Sequence, residues 1–430
     1  MNQFNASLWG DESFAAVLAQ KPLWQMIVTV AHDTSPPFYY LWLHLWMKIF
    51  GTSEVAIRSL SFLFFLGLVV TVYFLGKRLW DKKTGLIAAA LTFLNPFLFY
   101  YGFEGRMYSI LALFSTLSMY FFITKQWGWY VVATLGALYS HHFSIFVILV
   151  EFIWHIKENW GKRLKEFVLS FWPFFLVGLG YVPWLYPLYY QTRLVESGFW
   201  LGKPGLKEVG SILVSFLVGS LKFKYYEEAV VALVAALLLR RWGKEKEEEL
   251  LLALWLGVPI VLTFVVSHLG SSIFFDRYML FCIPPLVLFL SSRRRGWLTA
   301  GLLGTVMVVL ALADWHYFWH PTKRPFRELA TFVKESKPAE AFLINYQESA
   351  HHLFESKYYG LKAPIWVPEG ELPFFVGTAL MEKEDVVREL PEGEVWVITS
   401  APLEKVKIPN YSWKGYKEFG SLKVIWGEKR

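Results

Sequence analysis

The sequence predicts a polytopic α-helical membrane protein that ends in a small α/β domain outside the bilayer. Three observations carry that prediction. Hydrophobic residues make up 55% of the 430-residue chain and charged residues only 18%, against roughly 25% charged in soluble proteins. The mean hydropathy is positive over the whole length, which means more apolar surface than one globular core can hide. Aromatic residues reach 19%, and Trp and Tyr favour membrane–water interfaces. A soluble cytosolic enzyme is excluded. So is a disulfide framework or a cysteine-based zinc site, because Cys282 is the only cysteine. The net charge of +7 needs no nucleic acid to explain it, since Lys and Arg collect between the apolar runs.

The elements follow in chain order. Met1–Gln20 has neither a basic n-region nor an apolar h-region, so it is no signal peptide. Leu8-Trp9-Gly10-Asp11-Glu12-Ser13 leads into an apolar helix, with acid in its first turn. Pro36-Pro37 opens a second helix over Pro36–Phe50, too short to span at about 20 residues per crossing. It reads as an interfacial or re-entrant helix, and residues 1–56 read as an outer-face acidic loop. Residues 57–313 hold about ten spans, near 57–76, 85–102, 107–124, 127–140, 142–156, 167–187, 228–241, 250–268, 278–291 and 296–313. Residues 314–430 are charged and turn-rich. There Arg327–Lys337 and Ala379–Leu390 predict helices, and Ala341–Asn345 and Val395–Thr399 predict strands. Tyr416–Phe419 and Leu422–Trp426 predict a hairpin around Gly420-Ser421.

The basic residues set the orientation. Lys77, Arg78, Lys82, Lys83, Lys125, Lys157, Lys162, Arg163, Lys165, Arg240, Arg241, Lys244, Lys246 and Arg293 to Arg295 all fall in every second loop. That side is predicted to be cytoplasmic. The other side holds the loops near 100–106, 141–142, 188–227 and 268–277, together with both ends of the chain. The chain is therefore expected in the cell membrane, multi-pass, with its C-terminal domain extracytoplasmic.

Glu151 is the clearest ionisable residue within a span. The other suggestive groups cluster at the outer ends of spans: Asp11, Glu12, His32, Asp33, Glu104, Arg106, His141, His142, Asp276 and Arg277, with Tyr278 beside the last. Each has a structural alternative. Asp11 or Glu12 could simply cap a helix, Glu104 and Arg106 could pair locally, and Arg277 could snorkel. Their shared side favours chemistry at the outer membrane surface over transport through the middle, where ionisable groups would line the path.

Together these segments resemble the multi-spanning glycosyltransferases that use lipid-phosphate sugars. These include the protein O-mannosyltransferases and the lipid A aminoarabinose transferases. The resemblance rests on Trp9 to Glu12, Asp33 to Tyr40, Gly51 to Ser59, Leu75 to Leu79, Glu104 to Ser109, His141 to Phe143, and Arg277-Tyr278 before Pro284-Pro285. It implies a GT-C-like helical bundle, a polyprenyl-phosphate sugar as donor lipid, and a catalytic carboxylate at Asp11 or Glu12. The acceptor would be a lipid, glycan or protein. The chain departs from the aminoarabinose transferases at Ser35, where they carry a lysine. The family also places a membrane helix before the acidic pair. Ten residues precede Asp11 here, and the expectation is an internal start or one family helix fewer.

The chemistry suits an interface. The lipid keeps the donor's phosphate at the membrane edge, and Arg106 and Arg277 are the candidates to hold it. A carboxylate base activates the acceptor, and in-line displacement inverts the anomeric centre. Asp33, Glu104, His142 and Tyr278 are further site candidates. No metal is required, although Asp33 and His142 could hold a divalent cation. The competing class is a transporter or flippase of lipid-linked glycans, which would present charged groups along an internal cavity. A third reading is a membrane-anchored scaffold whose tail binds a partner.

Overall fold

The computed structural model describes residues 1–219, 224–239, 246–292 and 296–429. Lys222, Arg240, Arg241, Lys244 and Arg293 to Arg295 of the predicted loops lie outside the described residues. Two compact units form. One comprises residues 1–33, 40–57 and 320–430, and the other residues 34–39 and 58–319.

The acidic pair starts α1 (Gly10–Ala19). Glu12 Oε2 accepts from the backbone N–H of Trp9 at 3.4 Å, so Glu12 caps its own helix. α2 (Leu23–Ala31) follows Pro22, and α3 (Phe38–Phe50) starts directly after Pro36-Pro37. Over the described residues, helix covers most of each predicted span. α4 (Glu54–Leu79) is the first. After it come α5 (Lys82–Phe93), α6 (Pro96–Gly102), α7 (Tyr108–Ile123), α8 (Trp127–Ser140) and α9 (Ile145–Asn159). Next are α10 (Leu164–Ser170), α11 (Trp172–Tyr181), α12 (Leu185–Glu196) and α13 (Leu206–Val218). α14 (Tyr226–Leu239), α15 (Lys246–Leu269), α16 (Ile283–Ser291) and α17 (Trp297–Trp319) complete this unit. Among the described residues, four helical stretches are each long and apolar enough to cross a membrane: Glu54–Leu79, Leu164–Glu196, Glu247–Leu269 and Trp297–Trp319. The chain is a multi-pass membrane protein.

The helical unit departs from the sequence reading in two places. The span expected over 85–102 is broken, because α5 and α6 meet at a 62° bend. Pro96 cannot donate to a continuing helix, and its ring clashes with the preceding turn. Asn95 restarts the chain: its Oδ1 accepts from Leu98 N at 2.9 Å and its Nδ2 donates to Phe216 O at 2.7 Å. The second departure is α13, a helix within the region read as loop, and its Phe216 carbonyl is the group Asn95 binds. Elsewhere α4 and α5 touch backbone to backbone. A Cβ at Gly85 would lie 2.5 Å from Tyr73 O and 2.9 Å from Lys77 N, so glycine is what allows the approach.

The carboxyl of Glu151 on α9 is fully buried. It accepts from Ser118 Oγ of α7 at 2.8 Å and from Tyr130 OH of α8 at 3.1 Å. Ser118 and Thr134 hydroxyls lie 2.8 Å apart behind it. A polar group at this depth is tolerable because its hydrogen bonds are made within the protein.

The remaining elements build a sheet in the other unit. They are α18 (Phe326–Ser336), β1 (Phe342–Tyr346), α19 (His352–Tyr358), β2 (Ile365–Trp366), β3 (Val386–Val387), β4 (Glu394–Thr399), β5 (Tyr411–Phe419) and β6 (Leu422–Lys429). The order is β3-β2-β1-β4-β6-β5, parallel from β3 to β4 and antiparallel through β6 and β5. Alternation divides the core. Leu343, Trp396, Ile398 and Val424 face α18, while Ile344, Val395, Val397 and Ile425 fill the opposite face. The predicted strands, the hairpin and the first helix are all present. The helix expected over Ala379–Leu390 is not. There Asp385 Oδ2 accepts from Glu382 N at 2.7 Å and caps the start of a single 3-10 turn, Lys383–Asp385, after which Val386–Val387 joins β2. Two β-branched residues at a sheet edge pair more favourably than they extend a helix.

α1 belongs to this same unit and lies on α19. Phe14 meets Phe354 edge-on with ring centroids 5.0 Å apart, and a Cβ at Gly10 would sit 3.3 Å from His351 Cβ. Arg327 Nε and Nη2 both donate to Glu54 Oε1, at 3.0 and 2.6 Å, and Tyr359 OH donates to the same oxygen at 2.9 Å.

Candidate active site

The helical unit holds a cavity of about 530 Å³. Arg106, His142, Arg277 and Tyr278 line it, as do Thr34, Ser35, Tyr108 and Gln191, and Leu188, Val266 and Leu269 supply apolar wall. Arg106 sits in the turn before α7, and Arg277 in the 3-10 turn before α16. Residues far apart in sequence thus bring two guanidinium groups to one chamber. Glu104 is buried, and its carbonyl accepts from Arg106 N at 2.7 Å, but it does not line the cavity. Asp33, Asp11 and Glu12 belong to the other unit.

Arg277 is aimed by aromatic rings. Its Cζ lies 4.7 Å from the Phe275 centroid, 5.5 Å from Tyr108 and 5.6 Å from Tyr278. Rings orient a guanidinium through cation–π attraction. Beside it, burial pushes the Asp276 carboxyl up, an effect that Arg277 partly offsets.

His142 is fixed on both nitrogens. Nε2 lies 2.7 Å from Gln191 Oε1 and Nδ1 lies 3.0 Å from Tyr181 OH. The amide oxygen only accepts, so Nε2 carries the proton and Nδ1 accepts from the tyrosine. A metal ligand needs a free nitrogen lone pair, and this network leaves His142 none to offer. Gln191 and Tyr181 were missed by the sequence reading, and no spacing signal links them to His142.

The acidic pair divides its roles. Glu12 is completely buried, its Oε2 3.7 Å from the nearly buried Lys323 Nζ, and it serves as the helix cap. Asp11 is half-buried in the same first turn. Near it stands a cluster that the sequence reading did not single out. Arg324 Nη1 donates to His351 Nε2 at 3.1 Å and to His352 Nε2 at 3.5 Å. His352 Nδ1 then donates to Glu355 Oε2 at 2.5 Å. Burial pushes the His351 imidazole down to about 4 and that of His352 to about 3. Burial also pushes the Glu355 carboxyl up to about 8. The sequence did carry a signal here: His352 and Glu355 are three apart, neighbours on one helix face.

Comparisons with known proteins fit this architecture. Residues 34–187 match the family of dolichyl-phosphate-mannose-protein mannosyltransferases. The fold is similar to that of ArnT from Cupriavidus metallidurans in the apo state, with a TM-score of 0.65 at 12% identity, covering 98% of this chain and 94% of that one. The same protein bound to undecaprenyl phosphate gives 0.61 at 13% identity, covering 99% and 95%. The chain has the GT-C glycosyltransferase fold. This GT-C fold extends more loosely to the Archaeoglobus fulgidus oligosaccharyltransferase tethered with an acceptor peptide, with a TM-score of 0.50 at 12% identity, covering 93% and 65%. No curated protein matches the chain by sequence.

Proposed function

We propose that the chain is an inverting membrane glycosyltransferase that moves a sugar from a polyprenyl-phosphate donor to an acceptor at the outer face of the membrane. One observation carries the reading: Arg106 and Arg277 converge on a single cavity whose remaining wall is largely apolar. Such a chamber suits a lipid monophosphate, with charge at one end and hydrocarbon at the other. The similar fold bound to undecaprenyl phosphate supports it.

In this reading Asp11 takes the proton from the acceptor hydroxyl or amine. The acceptor heteroatom bonds to the anomeric carbon as the carbon–oxygen bond to phosphate breaks. The electron pair leaves with the polyprenyl phosphate, and the two arginines offset the charge that develops there. Asp11 is preferred to Glu12 because Glu12 is committed to its cap and to Lys323. The flippase reading draws no support from Glu151, whose hydrogen bonds close on neighbouring hydroxyls rather than open onto a path.

The test is transfer from a polyprenyl-phosphate sugar by the purified chain, wild type against Asp11→Asn. Transfer that depends on Asp11, with donor binding retained in the variant, is expected. Lipid movement without transfer would move the protein to the flippase class.

A further inference from the structure

We infer that the α/β unit contains an oxyanion-binding site built on Arg324, separate from the arginine cavity of the helical unit. Among the described residues no carboxylate forms an ion pair with Arg324. Its Nη1 instead hydrogen-bonds two imidazole nitrogens, His351 Nε2 at 3.1 Å and His352 Nε2 at 3.5 Å. Both nitrogens accept, so both rings are neutral with the proton on Nδ1. A carboxylate in their place would orient the guanidinium and also cancel its charge. Imidazoles orient it and leave the charge intact.

The second layer has the same character. His352 Nδ1 donates to Glu355, whose carboxyl is buried and disfavours ionisation. The two histidine ring centroids lie 4.1 Å apart, the rings tilted by 54°. A divalent cation is the obvious competitor, since His351, His352 and Glu355 place ligand atoms within 4.8 Å of one another. Arg324 Nη1 already bridges the two Nε2 atoms. A metal there would have to expel a cation that the protein supplies itself. The remaining donors of the fork can take an anion instead.

The sheet adds a second, independent observation. β2 lies on one side of β1 and β4 on the other, so the strand order reverses at β1. Ligands of such sheets bind at the carboxyl ends of the strands flanking that reversal. There Ser349 Oγ lies 3.3 Å from Thr399 Oγ1 and 3.1 Å from Ser400 Oγ. The loop that carries Ser349 continues into His351 and His352. The ligand class is a tetrahedral or planar oxyanion, a phosphate above all, borne by a lipid or free.

The experiment uses sulfate, which keeps its charge from pH 5 to 9, and the full-length chain in detergent. Arg277→Ala first removes the contribution of the helical cavity. In that background sulfate binding, read by calorimetry with chloride as control, is expected to persist. Adding Arg324→Gln should weaken it by about tenfold or more, the loss of one charge-assisted pair. Should Arg324→Gln fail to fold, Arg324→Lys keeps the charge and loses the fork, and it should still weaken binding. Glu355 faces Asp11 and Glu12 from α1, Arg324 from the segment before α18, and His351 and His352 from its own stretch of chain. Its ionisation near pH 8 should reduce sulfate affinity, and Glu355→Gln should remove that fall. A polyprenyl phosphate that competes with sulfate in the Arg277→Ala chain identifies a lipid headgroup as the source. Competition by inorganic phosphate alone identifies a free or acceptor-borne anion. Unchanged sulfate affinity in the folded Arg324 variant overturns the inference and leaves the donor cavity untouched.

Discussion

Replacing Arg277 by alanine removes one of the two guanidinium groups in the cavity of the helical unit. The size of the effect can be worked from its surroundings. Three aromatic rings lie 4.7 to 5.6 Å from its Cζ, so the side chain is already ordered and loses little entropy on binding. A forked contact makes two charge-assisted hydrogen bonds, each about 1.5–3 kcal/mol. Water competes at the cavity mouth, so the net loss is about 2–4 kcal/mol, or about 30- to 1,000-fold in Kd for polyprenyl phosphate. Arg277→Lys keeps the charge and loses the fork, and should fall between. Lys414→Ala is the control. Lys414 pairs with Glu428 at 2.6 Å, but both side chains are at least half-exposed, and such pairs contribute about 0–1 kcal/mol. The assay is titration of the detergent-purified chain with polyprenyl phosphate, followed by native mass spectrometry. Binding by a folded Arg277→Ala chain within about threefold of wild type would refute the reasoning, because the cavity would then hold its lipid without this arginine.

Three further outcomes are expected. Asp11→Asn keeps the shape of the first turn of α1 and should lower turnover by about 10²–10⁴-fold, while Glu12→Gln should mainly lower the melting temperature; equal activity loss in both would remove Asp11 from the base role. Gly85→Ala places a methyl 2.5 Å from Tyr73 O and should cost about 1–3 kcal/mol by forcing α4 and α5 apart, read as a lowered thermal midpoint, whereas Gly128→Ala, with open space around it, should be close to silent. The α/β unit should be most stable near pH 6.5. Below that pH the unfolded chain protonates His351 and His352 while the folded one holds them neutral, so stability falls as pH drops toward their folded values of about 4 and 3. Above it the folded chain holds the Glu355 proton up to about 8 while the unfolded chain has lost it, so stability falls as pH rises. Each slope is about 1 kcal/mol per pH unit, and hydrogen exchange in β1 and α19 measures it; stability that rises steadily through pH 8 would contradict the Glu355 term.

Much of this was legible in the sequence, for identifiable reasons. Apolar runs bounded by Lys and Arg mark helices wherever the chain meets lipid, so helix covers most of each predicted run, although among the described residues four stretches are long and apolar enough to cross. Pro36-Pro37 marks the start of α3 because proline suits a first turn and little else. The strands of the α/β unit show because their side chains alternate between two buried faces. The failures have a common cause. The bend at Asn95 depends on Phe216 O, more than a hundred residues away, and neighbouring sequence cannot reveal it. Val386–Val387 became strand only because β2 offered an edge. His142, a site candidate from the sequence, lines the cavity, yet Gln191 and Tyr181, which fix its proton, come from α12 and the end of α11. The Arg324 cluster was half visible, as His352 and Glu355 share a helix face, but the guanidinium that gives them meaning comes from before α18.

Glu151 bears on how the molecule is assembled. A lone α9 leaving the insertion machinery would carry a carboxyl into lipid at a cost of about 2.5–3.5 kcal/mol near the bilayer centre. Its two hydroxyl partners belong to α7 and α8, which are synthesised first. By the time Glu151 emerges, the α7–α8 hairpin already displays Ser118 and Tyr130 as a receptor. The order of synthesis therefore supplies the solvent that this carboxyl needs. Moving the carboxyl to α7 and a hydroxyl to α9 would preserve the finished hydrogen bonds and reverse that order, leaving the charged helix to wait in lipid for its partners.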